Sequence, residues 1–78
     1  MKQTLEARAR EVLETILAVA KPEGDIVRET TPEWDSIKNI EVVFALEDAF
    51  SVRIPEKDIA RLVSLSAIVR VLEEHHAT

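Results

Sequence analysis

Between Leu5 and Ala20 the apolar positions fall at Leu5, Ala9, Val12, Leu13, Ile16, Leu17 and Ala20, the spacing of one helical face. Glu6 and Arg10 stand four apart on the other side, in the order that favours an ion pair. A first helix over this stretch is predicted. A second spans Ser36 to Phe50. Asp35 and Ser36 are both good N-cap types, and the pattern does not choose between them, because neither is followed three residues later by Glu or Gln. Pro55 suits a first helical position and opens a short turn through about Arg61. Ser64 can cap a last helix whose core face is Leu65, Ile68, Val69 and Leu72. Arg70 and the His75/His76 tail lie toward the end of that helix, where positive charge complements its dipole.

Between the first two helices, Lys21 to Asp35 contains Pro22, Gly24, Thr30, Thr31 and Pro32 and keeps no sustained period. A connection that long in a small domain is functional or carries a turn of its own, and Ile26 and Val27 are its expected anchors. No strand period and no internal repeat occur. The predicted fold is all-α: a small four-helix bundle of three longer helices and one short one, in a single domain over 1–78.

Set at about 100° per residue, the second helix has two apolar sides. Val42, Val43, Leu46, Ala49 and Phe50 form a core stripe, while Ile37, Ile40 and Phe44 point away among Glu41, Glu47 and Asp48. Either the helix is central and packs all round, or it shows an acid-bordered apolar face to a partner.

Composition narrows the function. The formal net charge of −5 disfavours a nucleic-acid binder, which needs a basic patch to displace counterions. There is no cysteine, so the polypeptide offers no thiol. Glu73, Glu74, His75 and His76 are the obvious acid/base cluster, but adjacent histidines at a helix end read as a solvated tail. The chain is therefore expected not to be an enzyme and to hold no metal. "MKQTLEARAREV" lacks the apolar run of a secretory signal, and no stretch is apolar for long enough to span a bilayer, so a cytoplasmic location is expected; separately, a monomer is expected.

Asp35-Ser36-Ile37 at the start of a helix, then "ALEDAF", Ile54-Pro55 and a last amphipathic helix resemble an acyl carrier protein, most strongly from Trp34 to Leu72. The resemblance implies that a phosphopantetheinyl transferase attaches 4′-phosphopantetheine from coenzyme A to Ser36, with Asp35 in transferase recognition. The thiol of that arm would carry acyl or aminoacyl groups as thioesters, which accounts for the missing cysteine. It further implies that Ile37, Ile40, Glu41, Phe44, Glu47, Asp48, Ile54 and Glu56 form the surface met by acyl- or aminoacyl-loading and acyl-transfer enzymes with basic docking patches.

Three positions depart from the family's pattern. Ile37 replaces the common leucine with similar volume, and Lys38 interrupts the acidic surface expected of fatty-acid-synthesis members. Ser51 stands at the usual glycine, so a left-handed turn after Phe50 must be made without glycine or avoided. Trp34, the only tryptophan, is expected to seal the loop against the bundle. Other readings are an unmodified helical adaptor that uses the same groove, and a lipid-binding bundle with a cavity among Val12, Ile16, Val43, Phe44, Leu46 and Leu65.

Overall fold

Four α-helices and one short 3-10 turn follow one another in a computed structural model that describes residues 4–21 and 23–76. Pro22, among the breakers named above, lies outside the described residues. The first helix, α1 (Leu5–Leu17), starts at Thr4, whose hydroxyl accepts from Ala7 N at 3.0 Å. It ends earlier than its apolar period suggests. Ala18 takes the left-handed conformation at φ 57°, and the amides of Ala18 and Val19 both turn back to the Glu14 carbonyl, leaving Ala20 outside. Ala9, Leu13 and Leu17 are buried, and Leu5, Val12 and Ile16 pack at the edge of the core.

The following loop is tied down along its length. Arg10 donates to the carbonyls of Lys21 and Gly24, and the Glu14 carboxylate accepts from Lys21 N. Asp25 accepts from both the amide and the hydroxyl of Ser66, fixing the loop to the start of the last helix. Reciprocal backbone bonds, Arg28 N to Val63 O and Leu65 N to Ile26 O, make a single antiparallel bridge between Val27 and Ser64. Ile26 is an anchor as expected, but Val27 is only half-buried. The predicted extra turn is the 3-10 segment Arg28–Thr30. Trp34 is buried and closes the loop on the bundle.

The second helix, α2 (Ser36–Phe50), keeps its predicted bounds. Its core side is Val42, Val43, Leu46 and Phe50, to which the structure adds Asn39 and from which it removes Ala49, which is exposed. Ser51 makes the left-handed C-terminal turn itself, at φ 53°. Arg8 crosses from α1 to this end, donating to Ala49 O at 2.7 Å with its guanidinium 4.4 Å from the Phe50 ring centroid. It joins a cation–π contact to a favourable charge at the helix C-terminus.

Pro55 is the N-cap of α3 (Glu56–Ile59) instead of its first residue, because its ψ of 151° is still extended. The last helix, α4 (Leu65–His76), is capped as predicted: Ser64 Oγ accepts from Ala67 N at 3.1 Å. Its buried residues are Leu65, Ile68, Val71 and Leu72, so Val71 takes the place expected of Val69, which is half-buried. α1 packs against both α2 and α4, and the buried apolar residues form one cluster. The radius of gyration, 11.4 Å, matches the roughly 11–12 Å expected of a compact chain this long.

Candidate functional site

The start of α2 settles which residue caps it. Asp35 is extended, and its Oδ1 accepts from Lys38 N at 2.8 Å, so the cap is the aspartate. Ser36 is thereby the first helical residue. It is exposed, and among the described residues nothing hydrogen-bonds its Oγ. A hydroxyl so placed sits beside the first amides of a helix, which have no intrahelical partner and carry the positive end of the dipole. This donor set fits a phosphate ester at Ser36: the oxygen is free to be esterified, and the amides favour the anion that results.

One turn on, α2 displays its second apolar side to solvent. Ile37 is 70% exposed, Ile40 55% and Phe44 65%, although all three are large hydrophobics. With Glu41 and Asp48, both exposed, they fall in a stripe roughly 100° wide. The two-sided pattern therefore means an uncovered face within this chain. Lys38 pairs with Glu41 at 3.5 Å, so the basic residue that departs from the family's pattern is partly neutralised by its neighbour.

Two of the predicted surface residues sit differently. Ile54 is 5% exposed and belongs to the core, so its side chain does not join the stripe. Glu47 is half-buried, and its Oε2 accepts from Ile54 N at 2.8 Å, which commits it to holding the segment between α2 and α3. Glu56 is exposed in the first turn of α3.

Several residues had no role assigned from sequence. Asn39 is buried, its Oδ1 accepting from Trp34 Nε1 at 2.9 Å. A signal existed: a polar residue at the centre of the core stripe needs a buried partner, and the indole N–H needs an acceptor. A polar clasp also links α3 to α4. Asp58, buried, pairs through Oδ1 with Arg61 Nη1 at 3.0 Å and through Oδ2 with His75 Nε2 at 2.8 Å. Arg61 in turn grips both oxygens of Glu74 at 2.8 Å. His75 and Glu74 are thus engaged, correcting the reading of a solvated tail; the side chain of His76 lies outside the described residues. The hydrogen bond from His75, then that from Arg61, holds the Asp58 carboxyl below its ordinary value against the opposing effect of burial. Arg61 does the same for Glu74 and is itself raised. Asp58, Glu74 and His75 could group around a metal ion, but the Arg61 guanidinium already supplies their cation.

The six residues named for a lipid-binding core do not share one environment: Val43, Leu46 and Leu65 are packed in the core, Phe44 faces solvent, and Val12 and Ile16 line an open groove of about 210 Å³ beside Ala45. Among the described residues no helix is long and apolar enough to cross a membrane.

The chain is similar to the acyl carrier protein of Helicobacter pylori. It is 27% identical to that of strain G27 over 73 residues, covering 94% of this chain and 91% of the relative. The protein of the same name from strain J99 is 26% identical over the same span. No family model matches the chain.

Proposed function

We propose that this protein is a carrier whose Ser36 accepts 4′-phosphopantetheine from coenzyme A and which presents acyl or aminoacyl thioesters to separate enzymes. The observation that carries the reading is the division of labour at the start of α2: Asp35 takes the cap, so the Ser36 hydroxyl stays exposed and unengaged. The near full-length similarity to proteins named acyl carrier protein supports it.

In the loading reaction a phosphopantetheinyl transferase brings coenzyme A to Ser36. The serine oxygen forms the new bond to phosphorus, the adenosine bisphosphate half of coenzyme A leaves, and the hydroxyl proton passes to the transferase. The arm supplies the thiol that a chain without cysteine lacks. The residues of this chain hold the modified end: the α2 amides favour the phosphate by about 0.3–1 kcal/mol at an exposed site, and Asp35 keeps the helix start rigid while offering the transferase a charge. Ile37, Ile40 and Phe44 supply apolar area worth about 25 cal/mol per Å² buried, and Glu41 and Asp48 orient a basic partner around it.

Intact-protein mass spectrometry after incubation with coenzyme A, magnesium and a broad-specificity phosphopantetheinyl transferase tests this. The wild type is expected to gain one phosphopantetheine, and Ser36→Ala none. Absence of any gain with several transferases would instead favour an unmodified adaptor, whose binding through the same face would survive Ser36→Ala.

A further inference from the structure

Between the loop after α1 and the turn before α4 lies a groove of about 580 Å³. That is within the ~300–1,000 Å³ of sites that hold small organic groups. The Val27–Ser64 bridge joins its two walls. Val27, the edge of Trp34 and Val63 give it an apolar lining, and Arg28 and Glu29 line it with charge of both signs. Val63 is 50% exposed although it is a large hydrophobic, which nothing in the packing of the bundle requires. One of its lining residues, Trp34, stands close to Ser36 along the chain. Trp34 is two residues before Ser36, hence at most ~7 Å away along the backbone, and its indole is bonded to Asn39, one turn into α2.

From this we infer that the groove is the resting place of the phosphopantetheine arm, on the face of the chain formed by the two loops. The inference rests on the carrier reading of Ser36. A tethered occupant fits better than a free one, because the tether removes the entropic cost of bringing a ligand to a shallow site. The chemistry also matches along the arm. Its geminal methyl groups find Val27 and Val63, its amide carbonyls can accept from the Arg28 guanidinium, and its amide N–H groups can donate to the exposed Glu29 carboxylate. Arg28 is oriented for this by its own Nε, which donates to Trp34 O at 3.3 Å. Asp25, the remaining acid of the groove, has its carboxylate committed to Ser66.

The test compares unloaded and loaded protein by NMR and by fluorescence of Trp34, the only tryptophan in the chain. Loading is expected to shift the Trp34 indole proton and the Val27 and Val63 methyls, to give NOEs between the arm's methyl groups and Val63, and to change Trp34 emission. In Val63→Lys, at a half-exposed position, the mass gain at Ser36 should persist while the loading-induced shifts of the Trp34 indole proton and the Val27 methyls are lost. Arg28→Gln should weaken the shifts without changing the mass gain. Loaded wild type whose arm resonances match free pantetheine, with only Ser36 and Ile37 amides shifted, would overturn the groove and leave the carrier reading intact. Failure of the wild type to gain mass would remove both.

Discussion

Trp34 Nε1 donates to Asn39 Oδ1 at 2.9 Å, joining the end of the long loop to the first turn of α2 inside the core. Both residues are buried, so neither group has water as an alternative partner. Asn39→Ala should therefore destabilise the fold by about 1–3 kcal/mol, the cost of an orphaned buried donor. Urea unfolding followed by Trp34 emission measures this; a midpoint equal to wild type would mean that the indole finds another acceptor.

The Asp58 clasp should make stability depend on acid. The unfolded carboxyls of Asp58 and Glu74 bind protons near their ordinary 3.8 and 4.5, whereas the folded ones do so only at lower pH. Over that interval the unfolded state holds more protons, so stability is fully present above about pH 5 and is lost as pH falls through the depressed folded values. Asp58→Asn should flatten the acid limb of a plot of melting temperature against pH. An unchanged slope would show that other carboxylates govern it.

Ser51 holds φ 53° at the end of α2, a conformation that costs a residue with a Cβ roughly 1–2 kcal/mol. Ser51→Gly should raise stability by up to about 1 kcal/mol, since glycine also loses more freedom on folding. Ser51→Val should lower it. Thermal melts of the pair decide the point, and equal melting temperatures would argue that the turn relaxes.

The exposed stripe of α2 should be dispensable for folding and necessary for partners. Phe44→Ala is expected to leave the melting temperature within a degree or two and to weaken binding to an acyl-transfer enzyme at least several-fold. Charge reversal at Glu41 or Asp48 should weaken the same binding most at low salt, because exposed charges are screened over about 8–10 Å in physiological buffers. Binding that does not vary with salt would count against acidic steering.

How far the sequence reached differs between the parts of the chain. Helical period alone located α2, and the same arithmetic separated Ile37, Ile40 and Phe44 from Val42, Val43 and Leu46, because both follow from local backbone geometry. The Ser64 cap was legible for the same reason. Boundaries set by one dihedral were not: Ala18 ends α1 through a left-handed turn that no residue type announced, and Pro55 stays outside α3. The choice of Asp35 over Ser36 as cap was open in the sequence, since both side chains can do the work, and it was decided by which oxygen reached Lys38 N.

The sequence by itself thus determined an acidic, cysteine-free, all-helical chain with a serine at the head of a two-faced helix. Only the tertiary structure decided what was long-range. It buried Ile54 and drew Glu47 to its amide, paired Asp58 with His75 across the fold, and bridged Val27 to Ser64 between the two walls of a groove that Trp34 also lines. Periodicity records which side of an element is apolar, whereas the partner that meets that side depends on how distant segments pack, and no local spacing carries that information.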